Sequence, residues 1–470
     1  MGTKKTENHE ITAKEPINPL LILAAIVLIA AIATYLVPAG TFDRIPNEVT
    51  GYDMVDVDSF RFVEKTPLPP FELFTSLTLG LQNAAYVIFF LMIIGGTIRV
   101  VESTGALSAG LSNVVIKMKG KELLLIPVCV FLFGLVSASA ACCEEYLAFV
   151  PLMYVVCVAA GFDSITAVAL LFCSCAVGYA GGMTQAFSVG VAQSIAEVPM
   201  FSGIELRTVM FIVLGIITSA YIMIRAYRMK KDPSRNEMLE IDKKYAEQLE
   251  LESVPPMTGR QKVVLLIFAA SFVAVAVCVL VLGFYIDEMS GIFLIAALLV
   301  ALVAKIKPND FVDIFVEGCK DLLYAGLIIG LCNAVTMILS NAGILDTLIY
   351  YVGGMLRGLD ARVSACGMFV FQDFLNFLIP SGSGQAAITM PFMAPLSDIL
   401  GVSRQTAVLA FQTGDAFTNA IAPTAGELMA GLAICHIPYK KWFKFMAPLW
   451  LLWAIVACAF LVIAVSIGYV

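Results

Sequence analysis

Short polar residues and helix-breaking residues interrupt a hydrophobic part of the chain at residues 376–385. Pro380 cannot continue a regular helix, because it lacks the backbone N–H and its ring clashes with the preceding turn. Irregular backbone at membrane depth is tolerated only where it is buried in protein or lines a watery cavity. The sequence therefore predicts a re-entrant hairpin tip that binds substrate through Asn376, Ser381, Gly382, Ser383, Gly384 and Gln385.

The composition is that of a multi-pass membrane protein, with 60% hydrophobic residues, 14% charged residues and a mean hydropathy of +0.91. At about 20 residues per crossing, the hydrophobic stretches predict about ten to twelve spanning or re-entrant segments. We therefore predict an all-α polytopic fold in contact with membrane lipid. The chain has no phosphate-binding loop and no zinc-binding histidine pair, and its histidines are His9 and His436. We expect neither an enzyme nor a nucleic-acid-binding protein, and a channel stays open as an alternative.

Charged loops divide the chain. Basic residues place the loop at 226–262 and the start of the last helix on the cytoplasmic side, and the acidic loop at 39–70 outside. The predicted parts are a cytoplasmic tail with the N-terminus at 1–19, a first membrane helix and extracytoplasmic loop at 20–70, a first transporter repeat at 71–225, a cytoplasmic linker at 226–262, a second transporter repeat at 263–444 and a C-terminal membrane helix at 445–470.

The two hydrophobic blocks resemble each other. Residues 161–168 (GFDSITAV) recur as residues 401–408 (GVSRQTAV) at a shift of 240 positions, and Gly105 corresponds to Gly343 at a shift of 238. An odd number of crossings between the outside and inside loops makes the two copies inverted. Inverted repeats with interrupted helices that meet at the bilayer midplane are typical of secondary transporters. The sequence thus predicts two inverted repeats with paired re-entrant hairpins and broken helices.

The repeat places Glu144 and Glu145 at the first hairpin tip, opposite the serine-glycine tip of the second copy. Ionisable groups at membrane depth are expensive and mark functional sites by default. Two adjacent carboxylates could exchange a coupling proton or hold a cationic substrate. The alternative is an interfacial loop in which both glutamates face water.

Each copy has a second interruption, at residues 178–188 and 412–424. Unwound carbonyls and helix C-termini suit a cation, whereas helix N-termini suit a carboxylate. The candidate ligands here are Thr184, Gln185, Asp415, Thr418, Asn419 and Thr424. No metal site is expected apart from a coupling Na⁺ near Ser383, Asp415 and Asn419. The alternative is a pair of kinked helices whose polar side chains satisfy freed backbone groups.

Residues 380–388 (PSGSGQAAI), residues 401–424 (GVSRQTAVLAFQTGDAFTNAIAPT), the glutamate pair and residues 183–196 (MTQAFSVGVAQSIA) carry a family resemblance. The chain resembles the YfcC-type carriers. These are grouped with four-carbon dicarboxylate carriers of the DcuC kind and with arginine/ornithine antiporters, within the ion transporter superfamily.

The resemblance implies a secondary carrier of a bacterial inner membrane. It implies a homodimer in which a fixed scaffold supports a transport domain that carries both hairpin tips. The residues matching the family's serine-glycine motif and following break are Ser381, Gly382, Ser383, Gly384, Gly414, Asp415, Asn419, Pro423 and Thr424. One departure weakens the match, because Thr184-Gln185-Ala186 stands where the family suggests Thr-Asn-Pro.

Charge decides between the substrates of this group. A dicarboxylate needs compensating cations or several helix N-termini, and Arg99 and Arg404 are the only basic candidates near the predicted tips. The acidic tip residues instead suit the guanidinium or ammonium of a basic amino acid, whose α-carboxylate would meet the serine-glycine tip. We therefore predict exchange of basic amino acids of the arginine/ornithine type, with no cofactor other than H⁺ or Na⁺ as coupling ion. The alternative is proton- or sodium-coupled transport of a four-carbon dicarboxylate.

Overall fold

The structure is a computed structural model that describes residues 19–46, 53–56, 58–65, 67–107, 109, 121–248, 257–282, 286–356 and 358–470. Residues 1–18 of the predicted cytoplasmic tail lie outside this part. The first half of the chain contains helices α1 (Pro19–Leu36), α2 (Glu72–Asn83), α3 (Ala85–Ser103), α4 (Leu125–Ala140), α5 (Val150–Ala159), α6 (Ser164–Gly181), α7 (Val191–Ile195) and α8 (Ile204–Lys231). Shorter helical turns span Glu122–Leu124, Glu144–Phe149, Ala186–Gly190 and Pro233–Arg235.

The described second half of the chain continues with a linker helix and nine further helices. These are α9 (Leu239–Gln248), α10 (Gly259–Leu282), α11 (Ile286–Ala304), α12 (Pro308–Asn341), α13 (Ile344–Leu356), α14 (Ala361–Leu378), α15 (Gly382–Ile399), α16 (Arg404–Asn419), α17 (Gly426–Ile434) and α18 (Tyr439–Ile467).

Seven helices in the described ranges are long and apolar enough to cross a membrane. The first of these spans begins at Ala85, and α1 is a shorter apolar helix that starts within one residue of its predicted position. The prediction of a multi-pass helical membrane protein is therefore confirmed. The helix ends extend beyond the predicted limits, because α8 continues to Lys231 and α18 begins at Tyr439. Long basic side chains at these ends reach water while their backbone stays helical.

The loop that follows α1 departs from the all-α expectation. Strands β1 (Gly40–Thr41) and β4 (Arg61–Phe62) pair antiparallel, as do β2 (Arg44–Pro46) and β3 (Asp53–Val55). Strands form here because a loop in water can leave its sheet edges exposed, which a lipid-facing segment cannot. The loop packs onto α13 and α15 through the Arg44–Asp346 ion pair at 3.1 Å and the Phe42–Phe392 ring contact at 5.3 Å.

Local backbone features recur at the shifts found in the sequence. Gly161 and Gly401 both have a left-handed φ, at 80° and 67°. Each glycine precedes a helix whose N-cap side chain accepts a hydrogen bond from the backbone N–H three residues later. Thr166 donates to Asp163 in the first helix, and Thr406 donates to Ser403 in the second. The order of elements also recurs, because α4 to α8 have counterparts in α14 to α18. The aligned segments thus fold alike.

The helices make two groups of mutual contacts. In the first group, α12 contacts α1, α2 and α3, and α3 also contacts α11. In the second group, α6 and α16 pack together, α4 and α8 contact α6, and α14, α15 and α18 contact α16. Close approach requires glycine, since a Cβ at Gly95 or Gly318 would overlap the other's carbonyl oxygen where α3 crosses α12. The two groups meet where α17 packs on α12.

The linker between the halves is partly anchored. Asp242 of α9 is 5% exposed and accepts hydrogen bonds from the N–H of Ser164 at 3.2 Å and the hydroxyl of Tyr154 at 3.3 Å. Glu237 pairs with Lys444 of α18 at 2.7 Å. Burial raises the pKa of the Asp242 carboxyl, and the two donors partly oppose that change. The linker therefore contacts the ends of helices from both halves.

Candidate substrate site

The first tip begins where α4 ends. Ala141 adopts a left-handed φ of 58°, and its carbonyl accepts a hydrogen bond from the Tyr179 hydroxyl of α6 at 2.5 Å. The Ser137 hydroxyl donates to the Cys142 carbonyl at 2.7 Å. These contacts turn the chain sharply back, so that Glu144 and Glu145 stand in the first turn of the next helical segment.

The two tip glutamates differ in their surroundings. Glu145 is 6% exposed, and its Oε2 accepts a hydrogen bond from the backbone N–H of Cys143 at 2.8 Å. Glu144 is half-buried. The alternative in which both carboxylates merely face water is therefore wrong for Glu145. A buried carboxylate needs donors or a cation, because an isolated buried charge is costly.

The second break places another carboxylate on α16. Asp415 is fully buried, and its carboxylate oxygens lie 3.4 Å from Asn419 Nδ2 and 3.4 Å from Ser188 Oγ. Asn376 of α14 donates from Nδ2 to the Asp415 carbonyl at 2.7 Å and to Asn419 Oδ1 at 2.8 Å. Three predicted site residues, Asn376, Asp415 and Asn419, thus form one hydrogen-bonded group that joins the second hairpin to its broken helix.

Glu427, which the sequence reasoning missed, lies in the first turn of α17. Its Oε1 is 3.7 Å from the thiol of Cys143 in the first tip. A single acidic residue in the apolar run 426–434 is a signal that could have identified it. The repeat comparison could not, because the residue 240 positions earlier is Phe187.

A small cavity of about 10 Å³ lies between the first tip and the second break. Its walls come from both halves of the chain and are formed by Cys143, Phe172, Cys175, Ala176, Tyr179, Ala416, Asn419 and Ala420. That volume admits about one water molecule. An amino acid or a dicarboxylate could enter only after the tip or a neighbouring helix moves.

The second tip caps a helix N-terminus. Ser381 Oγ accepts a hydrogen bond from the N–H of Gly384 at 3.3 Å, and both Ser381 and Ser383 are exposed. Gly382 lies against the acidic site, since a Cβ there would be 3.1 Å from Asp415 Oδ2. Gln385 points away from the tip, because its Nε2 donates to the carbonyl of Gln372 at 2.8 Å. Of the predicted tip residues, Ser381 and Ser383 are exposed, Gly382 lies against Asp415, and Gln385 contacts α14.

The other predicted residues of the breaks donate to backbone carbonyls of the hairpin helices. Gln185 donates to Ser137 at 2.5 Å and Thr184 to Ser139 at 3.3 Å. In the second copy the corresponding bonds are Thr424 to Phe377 at 2.7 Å and Thr418 to Asp373 at 2.8 Å. These side chains satisfy freed carbonyls near the hairpin ends, as the kinked-helix alternative anticipated. In this conformation they position the tips.

The basic candidates are engaged elsewhere. Arg99 pairs with Glu102 at 3.5 Å and Glu317 at 3.4 Å. Arg404 pairs with Asp398 at 2.8 Å and Glu197 at 2.6 Å. Within the part of the chain that the structure describes, no lysine or arginine forms an ion pair with Glu144, Glu145, Asp415 or Glu427.

Four buried amide oxygens also have no hydrogen-bond donor among the described residues, namely Gln185 Oε1, Asn376 Oδ1, Gln385 Oε1 and Gln412 Oε1. The orientation of Gln412 follows from its Nε2, which donates to the carbonyls of Tyr179 and Ala180, each at 2.8 Å. Unsatisfied oxygens of this kind bind water or a cation. The described residues contain no cluster of three or more His, Cys, Asp or Glu side chains that could hold a metal ion.

A helical membrane protein whose two broken helices meet at buried carboxylates has the architecture of a membrane transporter. The model of one family, the C4-dicarboxylate anaerobic carriers (DcuC), matches residues 18–466. The chain belongs to this family, and the resemblance to YfcC-type carriers is confirmed.

Two relatives extend across most of the chain. The Escherichia coli (strain K12) protein named "Putative basic amino acid antiporter YfcC" is 31% identical, with 96% of this chain and 97% of that protein covered. An uncharacterized Haemophilus influenzae protein is 30% identical, with 83% and 78% covered. Among solved structures, the Alcanivorax borkumensis YdaH transporter is 17% identical with a TM-score of 0.42, and the similarity covers 96% of this chain and 99% of that one.

Proposed function

We propose that this transporter is a secondary carrier of a bacterial inner membrane that exchanges basic amino acids of the arginine/ornithine type. One observation supports this above all. Four carboxylates from both halves of the chain lie beside residues that line the small cavity, or next to them in sequence, and no described basic side chain pairs with them: Glu144 and Glu145 in the first tip, Asp415 on α16 and Glu427 on α17. Such a site attracts a cation.

The two ends of a basic amino acid fit two parts of the site. The guanidinium or ammonium binds between Glu144 and Glu427, which approach Cys143 from opposite halves. The α-carboxylate binds at the N-terminus of α15, where Ser381 and Ser383 stand exposed and the helix dipole is positive. Substrate therefore bridges the first tip and the second tip, and binding draws them together.

Alternating access requires motion, because the cavity holds about one water molecule. We propose that α4–α8 and α14–α18 form the transport domain and move past a scaffold of α1–α3 and α10–α12 in an elevator-like step. The two series are inverted repeats in this proposal, and two chains form a homodimer through the scaffold. The N-terminus is cytoplasmic, on the side of the basic ends of α8 and α18.

A second candidate is proton- or sodium-coupled transport of a four-carbon dicarboxylate. The description of the family favours it. The unsatisfied amide oxygens near Asp415 and Asn419, with Ser383 at the tip, would then hold Na⁺. The bound Na⁺ would compensate the charge of a dianion. Under this candidate the glutamates serve as proton-binding groups.

The deciding experiment uses purified protein in liposomes preloaded with unlabelled ornithine. Uptake of labelled arginine is compared with uptake of labelled succinate, with and without imposed proton or sodium gradients. We expect saturable arginine uptake that requires internal ornithine and no ion gradient, whereas a channel would not require the counter-substrate. Succinate uptake driven by a gradient, without arginine uptake, would overturn the proposal.

Charge-removing variants test the site itself. Glu427→Gln and Glu144→Gln each remove a charged partner of the substrate, which is worth about 1.5–3 kcal/mol, so arginine affinity falls roughly 10-fold to 150-fold. Glu317→Gln is the matched control, because Glu317 is 60% exposed and pairs with Arg99 outside the site. Equal losses in all three variants would remove the acidic site from the proposal.

A further inference from the structure

Two thiols lie side by side in the wall of the cavity. Cys143 belongs to the first tip and Cys175 to α6, and both line the cavity next to Asn419. Because that cavity admits about one water molecule, the two side chains are close neighbours. The Cys175 thiol also lies 3.4 Å from the Cys142 carbonyl, and the Cys143 thiol lies 3.7 Å from Glu427 Oε1. The first tip and α6 thus meet at two neighbouring thiols beside the acidic residues.

We propose that Cys143 and Cys175 form a binding site for trivalent organoarsenicals within the substrate pathway. An arsenoso group reacts with two neighbouring thiols. Two As–S bonds form and the As=O bond breaks, and the oxygen leaves as water with both thiol protons. Arsenic stays trivalent, so no oxidant or reductant is needed. The product ties the first tip to α6 through one arsenic atom.

The bridge should stop transport, and this part of the inference rests on the proposed function. Substrate must enter a space that now holds about one water molecule, and in this proposal the first tip opens relative to α6 to admit it. A bridge between Cys143 and Cys175 prevents that movement and fills the entrance beside Glu427. The thiols are 9% and 4% exposed, so the reagent reaches them only when the site opens. Bound substrate should therefore slow the reaction.

The chain offers a matched control pair. The thiol of Cys366 on α14 lies 3.7 Å from the carbonyl of Cys458 on α18, and both residues are half-buried. These helices pack together within the second group of contacts, and neither cysteine lines the cavity. An arsenical bridge there leaves the tips free, so transport should continue.

The test uses phenylarsine oxide on the purified full chain, with intact-protein mass spectrometry and exchange assays. The Cys366→Ser/Cys458→Ser variant, the background for the others, should gain one phenylarsenic group per chain with loss of one water. Its arginine exchange should fall at least tenfold. Exchange should recover with 2,3-dimercaptopropanol but not with a monothiol. Cys143→Ser and Cys175→Ser, each added to that background, should gain no group, and the reagent should not lower the exchange rate that each variant shows before treatment. Cys142→Ser should behave like the background, because its thiol is not required.

Each outcome decides the inference. The dithiol site is overturned if the background variant gains no phenylarsenic group, or if the group persists after Cys143→Ser. An adduct on Cys143 and Cys175 with unchanged exchange would place the dithiol outside the substrate pathway. The mass measurement needs no transported substrate, so an adduct in a protein that carries no arginine would refute the proposed function and retain the dithiol site. Unfolding temperatures of the variants, measured in the same detergent, exclude misfolding as the cause.

Discussion

Replacing Asn376 by leucine should weaken substrate binding by a calculable amount. The side chain is fully buried and of similar size to leucine, and its Nδ2 makes two hydrogen bonds, at 2.7 Å to the Asp415 carbonyl and at 2.8 Å to Asn419 Oδ1. Its Oδ1 has no donor among the described residues, so only the nitrogen contacts count. Two neutral hydrogen bonds are worth about 1–3 kcal/mol together, and the two acceptors left bare push the loss toward the upper value.

The loss should appear in affinity. In the leucine variant no hydrogen bond joins the second hairpin to Asp415 and Asn419. Part of the binding free energy is then used to order that arrangement. We expect the Kd for arginine to rise about 5-fold to 150-fold in equilibrium binding with labelled ligand. The control is Asn333→Leu, since Asn333 Nδ2 makes one hydrogen bond, to Ile329 of its own helix at 3.2 Å. Unchanged affinity in a folded Asn376→Leu protein would refute the assignment of this hydrogen-bonded group to the site.

Three further predictions concern stability, measured as thermal unfolding in detergent. Burial opposes ionisation of Asp163, yet Arg225 holds the pKa of that carboxyl below its usual value. The stabilisation by the Asp163–Arg225 pair is therefore present above the usual pKa and is lost as the pH falls through the lowered one. Asp163→Asn should lower the unfolding temperature at pH 7. Burial raises the pKa of Asp242, so the folded state is destabilised where the pH exceeds the usual pKa and this carboxyl ionises. Asp242→Asn should therefore not lower the unfolding temperature at pH 7, and a large drop would contradict the destabilising effect of the charge. Gly414→Ala should cost about 1–3 kcal/mol, because the new Cβ would lie 2.6 Å from a backbone nitrogen of α14, and an unchanged unfolding temperature would refute that tight packing.

The recurring turns at Gly161 and Gly401 were accessible from sequence because local backbone rules specify them. A glycine with positive φ followed by a side-chain N-cap is specified within six residues, so Gly161 with Asp163 and Gly401 with Ser403 could be aligned without any knowledge of packing. The hairpin interruption at Pro380 was accessible for the same reason. Short-range chemistry decided these features, and the structure reproduces them at the predicted positions.

Long-range contacts were not accessible in this way. Gln385 and Thr424 look like ligands in sequence because they are polar residues beside a break, yet each donates to a carbonyl on α14. Glu427 becomes a neighbour of Cys143 only when α17 folds back against the first tip, 284 residues away along the chain. The side to which a polar group at membrane depth points is set by tertiary packing, and periodicity alone does not specify it.

The charge balance of the closed site connects these observations to the choice of substrate. The nearest basic candidates, Arg99 and Arg404, each pair with two carboxylates of their own, so a dianion would have to bring its counter-charges into the site as protons or sodium ions. A basic amino acid carries its own positive charge into the site, and a second basic amino acid leaves in the opposite direction. The exchange therefore moves no additional ion. The two proposed functions therefore differ in one necessary property. Dicarboxylate uptake into this site must depend on an ion gradient, whereas exchange of basic amino acids must proceed when every ion gradient has been collapsed.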